Sequence, residues 1–212
     1  MQPKTSDVLD LHTFSVSAIR ALNMAVVIGR RYNARALTSE QLLLALLNQA
    51  DGNANKILLH FGVDVFALRA SVESYLALPS IVPPSDLFFE ADGGQRVALS
   101  SNLSLVLDRA RIIADNYRLA WVGTDHLLAA LMAVEGPTSA ILKRFNISTE
   151  QISDALTQIN GGKGSIAGEG NTAIVADLVA MAKGATWARV SERATPLREL
   201  VNILLQRRRN SV

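Results

Sequence analysis

Residues Ser39-Glu40-Gln41-Leu42-Leu43-Leu44-Ala45-Leu46-Leu47 return 85 positions later as Thr124-Asp125-His126-Leu127-Leu128-Ala129-Ala130-Leu131. In both, a hydroxyl residue and a carboxylate precede a Leu/Ala run, which is how a helix start is written. The oxygen serves the orphan N–H groups, the negative charge suits the positive end of the dipole, and good helix formers follow. In the same register Leu22, Ala25 and Tyr32 fall on Leu107, Ala110 and Tyr117. One residue is lost around Gly52 and Gly136, after which Ile57, Leu58 and Phe61 fall on Ile141, Leu142 and Phe145. Ten identities in a nearly gap-free register, two of them aromatic, mark two copies of one unit, residues 12–78 and 97–160.

Each unit reads as helices. Phe14, Ala18, Ala21, Leu22, Ala25 and Ile28 recur at steps of three and four, as one face of a helix requires. Gly52 and Gly136-Pro137 interrupt the Leu-rich runs. Two shorter helices follow in each copy, around Lys56–Phe61 and Val65–Leu76 in the first and Ser139–Phe145 and Thr149–Ile159 in the second. Gly62 and Asn146 stand where a left-handed cap ends the earlier of the two. The expectation is an all-α fold of two tandem four-helix repeats, eight helices with a pseudo-two-fold relation.

Between the copies, residues 79–96 run from Pro79-Ser80-Ile81-Val82-Pro83-Pro84 to Gly93-Gly94. Proline cannot continue a helix, so this stretch reads as a connection. Its Leu87-Phe88-Phe89 is too apolar for a bare tether and is expected to dock on a repeat. Residues 161–172 are Gly-rich and read as a flexible linker, and 173–212 as a short helical tail with Leu197, Leu200, Val201, Leu204 and Leu205 on one face.

Composition removes several classes. Among 212 residues, 49% are hydrophobic, 5% aromatic and none is Cys, which suits a helical interior and excludes disulfides and thiolate sites. The N-terminus holds no apolar signal-peptide core, and no apolar run reaches the ~18 residues that span a bilayer, so a cytoplasmic protein with no membrane partner is expected. The sequence pI near 9.1 invites a nucleic-acid reading. Yet residues 173–212 carry a net +4 and the remainder a net −2, so no polyanion surface is expected on the repeats. Arg207-Arg208-Arg209 reads as the end of an exposed helix rather than a phosphate grip. Gly161-Gly162-Lys163-Gly164-Ser165 lacks the spacing of a phosphate-binding loop. No nucleophile elbow or zinc-protease motif occurs. His12, His60 and His126 lie too far apart to suggest a metal site, and Trp121 reads as a packing residue. No catalytic residue, metal or cofactor is assigned to this chain.

The doubled motif resembles the Thr-Glu-His-Leu-Leu core of the Clp N-terminal repeat, and Ile57-Leu58 to Phe61-Gly62-Val63-Asp64 is similar to the segment that follows it. Ile141-Leu142 to Phe145-Asn146-Ile147-Ser148 repeats that likeness. Two such copies form the N-terminal domain of Clp-type AAA+ unfoldases and disaggregases. Leu178-Val179-Ala180-Met181-Ala182-Lys183-Gly184, then Arg193, Glu199-Leu200 and Ile203-Leu204 to Arg207-Arg208-Arg209-Asn210, resemble the lead-in to their first AAA+ module, and the sequence ends before a Walker A loop. The resemblance implies a non-enzymatic module that recognises unfolded or tagged substrates and adaptor proteins and delivers them to the pore of a hexamer. ATP and magnesium would belong to the AAA+ modules of the full-length protein, and the isolated domain would be monomeric. A free-standing accessory protein with the same fold is the alternative, and a helical nucleic-acid binder a more distant one.

In the ClpC branch of that family, two equivalent pockets bind phosphorylated arginine. Carried over by position, the resemblance pairs Ser15 with Glu40 and Ser100 with Asp125, so that a carboxylate meets the guanidinium and a hydroxyl the phosphoryl group. The same four residues also read as plain helix caps and dipole partners. Both readings stand on sequence alone.

Overall fold

In the computed structural model of the chain, residues 8–78 and 82–161 are described. The chain divides into two units, 1–173 and 174–212, and all described residues belong to the first. The linker and tail expected over 161–172 and 173–212 lie outside the described residues, Gly161 excepted.

Among the described residues, eight helices form in two sets of four. The first repeat holds α1 (Val16–Arg31), α2 (Ser39–Leu47), α3 (Asn53–His60) and α4 (Val65–Leu76). The second holds α5 (Ser101–Asn116), α6 (Thr124–Ala133), α7 (Pro137–Arg144) and α8 (Thr149–Gly161). The Leu runs of α2 and α6 are buried on every side and form the centre of one continuous core. A helix apolar all round has to be central, and the other helices pack around these two. Where α1 passes α2, Gly29 leaves room for the Gln41 side chain, since a Cβ there would lie 3.2 Å from Gln41 Oε1.

Four helices end alike. Asn33, Gly62, Arg118 and Asn146 have φ between 53° and 69°, and the next residue donates back into the last turn. Ala34 N bonds Gly29 O at 2.9 Å, and Leu119 N bonds Ala114 O at 3.0 Å. These are paired left-handed caps. The sequence marks Gly62 and Asn146 as such; the equivalent turns at Asn33 and Arg118 carry no glycine to announce them.

The connection departs from expectation. Its residues form an antiparallel hairpin, β1 (Pro84–Ala91) and β2 (Gln95–Ser100), so the helical fold carries a small two-stranded sheet. Gly93 and Gly94, with φ of 85° and 77°, make the turn. Pro84 stands at the first position of β1, where a missing N–H does no harm. Phe89 is fully buried in the common core and Leu87 packs against it, so the apolar tripeptide does dock. The signal for a hairpin was present: apolar residues on both sides of Asp92-Gly93-Gly94. The prolines masked it.

Short β-bridges then lock the repeats into each other. Phe14 pairs with Val122 and Leu37 with Leu99, both parallel. Under the 85-residue shift these two bridges are one bridge seen twice. Ser15 N bonds Val122 O at 3.0 Å and Val122 N bonds Thr13 O at 2.7 Å. Their counterparts, Ser100 N to Leu37 O and Leu37 N to Ala98 O, are both 2.8 Å. At the outer edge of β1, Val8 bridges to Phe88, and Leu9 N bonds Phe88 O at 2.7 Å.

Candidate functional site

The four polar residues singled out in the sequence occupy two junctions, and the pairing differs from the one expected. Helices α1 and α2 run antiparallel: Gln49 Nε2, just past the end of α2, donates to Ser17 O at 3.2 Å, while Gln41 at its start lies against Gly29. Ser15 and Glu40 therefore stand at opposite ends of a 16-residue helix, about 24 Å of rise. Through the bridges, Ser15 instead meets the approach to α6 and Asp125, and Ser100 meets the approach to α2 and Glu40. Each serine thus stands beside the approach to the helix that carries the other repeat's carboxylate. Sequence alignment alone pairs residues within a repeat; the crossing of the bridges is what swaps them.

Both serines are N-caps. Ser15 Oγ accepts from Ala18 N and Ser100 Oγ from Leu103 N, each at 3.1 Å. The caps of the central helices lie one residue earlier than the sequence suggests. Thr38 caps α2 in a reciprocal box with Gln41, whose Oε1 accepts from Thr38 N at 3.0 Å. Gly123 precedes α6, and its N–H donates to His126 Nδ1 at 2.9 Å. The same nitrogen lies 3.4 Å from Asp125 Oδ1.

Ser39 and Thr124, first residues of these helices, are released to reach across. Thr138 Oγ1 donates to Ser39 Oγ at 3.0 Å, and Ala54 N donates to Thr124 Oγ1 at 3.3 Å. Three helix starts thus converge at each junction. Around Glu40 they are α2, α5 and α7; around Asp125 they are α6, α1 and α3. Each carboxylate sits where three positive dipole ends meet, which is why it tolerates burial at 7% exposure for Glu40 and 1% for Asp125. Neither Ser15 nor Asp125 lacks partners. Tyr75 is pushed above the ordinary tyrosine range, first by burial and then by the Glu40 charge. The equivalent position in the second repeat is Ile159, so this phenol has no counterpart at that position.

The surface carries a second repeated feature that the sequence reading passed over. Val27 of α1 is 53% exposed and Ile112, its equivalent on α5, 48%. With Val16 and Met24 on α1 and Leu105 on α5, they lay an apolar stripe along the outer face of each first helix. Arg20 interrupts one stripe and Arg109 the other. Trp121 is 58% exposed rather than packed inside. No helix among the described residues is long and apolar enough to cross a membrane.

Comparison with known proteins agrees with the helical fold. The Clp repeat (R) N-terminal domain family matches over residues 13–145. Chaperone protein ClpB 1 of Parasynechococcus marenigrum (strain WH8102) is 30% identical over 210 residues, covering 93% of this chain and 23% of that protein. Among solved structures, the Hsp104 N-terminal domain from Candida albicans is similar at a TM-score of 0.55 and 21% identity, over 70% of this chain and 91% of that one. The ClpV N-domain in its complex with VipB peptide is similar at 0.55 and 13% identity, over 76% and 96%. These two likenesses concern the fold. The chain spans less than a quarter of the length of the curated relatives it matches.

Proposed function

This chain belongs to the Clp repeat N-terminal domain family, and from that premise we propose that it is a recognition module of a Clp-type chaperone. It binds unfolded segments or adaptor proteins on the outer faces of α1 and α5 and presents them to AAA+ modules of the same polypeptide. ATP hydrolysis is assigned to those modules and no catalytic step to this one.

The observation that carries the reading is the exposure of Val27 and Ile112 at the same position of both repeats. A lone exposed apolar side chain needs no explanation; one exposed at the same position of both repeats, each with further exposed apolar residues on its helix, is best explained by a partner that covers it. The ClpV N-domain of similar fold was solved with a bound peptide, which fits this use of the fold. The carboxylate junctions are the rival location: a phosphoarginine side chain there must reach Glu40 or Asp125 through the surrounding helix starts.

Titration of the 212-residue chain with an unfolded apolar peptide and with a phosphoarginine peptide, followed by backbone amide NMR, separates the two. The apolar peptide is expected to shift Val16, Met24, Val27, Leu105 and Ile112. The double substitution Val27→Ser and Ile112→Ser should weaken it by about tenfold or more, given ~1.5–3 kcal/mol for each fully buried aliphatic side chain. Shifts confined to residues around Ser15, Glu40, Ser100 and Asp125 would overturn the apolar-face reading in favour of the junctions.

A further inference from the structure

The pseudo-two-fold relation is broken at one cleft. A cavity of about 180 Å³ opens between the end of α1, the turn into α2 and the edge of β2. Arg30, Arg35 and Arg96 line it, with Gln41 and Gln95, and no carboxylate does. All three arginines are exposed, and none takes part in an ion pair among the described residues. Glu90 lies directly across the hairpin from Arg96, but the Arg96 guanidinium stacks on the Phe88 ring instead, 5.3 Å from its centroid. Three cations held at one opening with no anion among them raise the local potential and select for negative charge.

The wall of this cleft is also an unfinished sheet edge. Leu37 pairs with β2 through Ala98 O and Ser100 N, so even-numbered residues of β2 turn their peptide groups away from β1. By the two-residue alternation of a strand, the N–H and C=O of Arg96 and the N–H of Ala98 point the same way, toward the cleft. The corresponding outer edge of β1 is already taken by Val8 and Leu9. An open row of backbone groups is a template for one more strand.

The related place in the other half serves as an internal contrast. Arg30, Arg35, Gln95 and Arg96 correspond to Asp115, Ala120, Asp10 and Leu11. There Arg111 lies across the site, with Nη2 donating to Asp10 O at 3.1 Å and its guanidinium 5.1 Å from the Phe14 ring centroid. One site is filled by the chain itself; the other is open and cationic.

We propose that the arginine-lined cleft beside β2 docks a short acidic segment of a partner protein, whose backbone adds to the Arg96 edge while its carboxylates meet Arg30, Arg35 and Arg96. The site is separate from the apolar stripes of α1 and α5 and does not depend on them. An acidic peptide suits it better than a nucleic acid, because the free edge offers strand hydrogen bonds that a phosphodiester backbone cannot return.

The test uses the 212-residue chain and a capped octapeptide of alternating Glu and Val, with an alternating Lys and Val octapeptide and single-stranded oligouridylate as the other arms. The Glu peptide should shift the amides of Arg96 and Ala98, leave those of Leu11 and Asp115 in place, and weaken steeply with added salt. Arg35→Glu combined with Arg96→Glu should reduce its affinity at least tenfold and admit the Lys peptide. The milder Arg35→Gln and Arg96→Gln pair guards against misfolding and should give an intermediate loss with an unchanged melting temperature. Failure of the Glu peptide to move Arg96 and Ala98, equal binding by the reversed variant, or preference of the same residues for oligouridylate would each overturn the proposal.

Discussion

The two halves share a skeleton and differ where they meet solvent. Leu42 and Leu127, Leu43 and Leu128, and Leu46 and Leu131 are identical and fully buried in both. Around them the same bridge, the same serine cap and the same three-helix convergence occur twice. The differences are local and chemical. One junction holds Glu40 beside Tyr75; the other holds Asp125 with His126 at its cap. One outer cleft is open and lined by arginines; its counterpart is closed by Arg111. The residues that pack are the same in both halves, and those that face solvent have diverged.

Among the described residues the hairpin has no counterpart in the other repeat, and the largest effect should come from it. Phe89→Ala empties a fully buried site and should cost about 3–5 kcal/mol, read as a lower urea midpoint and melting temperature. A cost near zero would mean that the hairpin is an appendage to the core.

The serine caps sharpen the comparison next. Ser15→Ala and Ser100→Ala each remove one side-chain acceptor at a helix start, a loss of about 1 kcal/mol in urea unfolding. Ser100 is buried and Ser15 is only partly so, so the second-repeat variant should be the more costly of the two. Equal losses would make the two junctions energetically symmetric despite their different burial.

The Tyr75 titration breaks the symmetry in another way. The folded chain keeps the phenol proton to higher pH than the unfolded chain, whose value lies near 10.0. This contribution to stability is therefore complete below that pH and is lost as pH rises through the folded value. Glu40→Gln should move the folded midpoint down by removing the smaller of the two causes, while burial keeps it above the ordinary range. An ultraviolet phenolate titration reads the shift; an unchanged midpoint would separate Tyr75 from the junction.

The smallest effect is expected at the paired left-handed caps. Arg118 occupies, at φ 56°, the conformation that Asn33 adopts in the first repeat at 53°. Asparagine tolerates that region better than arginine, so Arg118→Asn should raise stability by about 0.5 kcal/mol in thermal unfolding.

Much of this architecture was legible because it rests on periodicity. Duplicated Leu runs and glycine or asparagine stops announce the helices; α4 falls on the expected Val65–Leu76, while α3 starts at Asn53, three residues before the expected Lys56. The hairpin was hidden because its two flanks are short and proline stands at its entry, so local breakers outweighed the apolar pattern around Asp92-Gly93-Gly94. The junctions were half legible. The family resemblance, carried over by position, picked out Ser15, Glu40, Ser100 and Asp125, and each stands at a helix start. Their partners were not readable, because a bridge such as Phe14 to Val122 is a backbone contact with no side-chain signature. The apolar stripes were missed for a related reason: Val27 and Ile112 continue a helix pattern, and only the packing shows that their face stays outside.

The bridges have a consequence for how the chain is made. Leu37 can find Leu99 once the hairpin has left the ribosome, but Phe14 has to await Val122, 108 residues further along. At about 5–20 residues per second this leaves the start of α1 without its edge partner for roughly 5 to 20 s. A nascent chain thus carries α1 unlatched until all of α5 and the approach to α6 have followed it, so the first repeat cannot close before the second has begun.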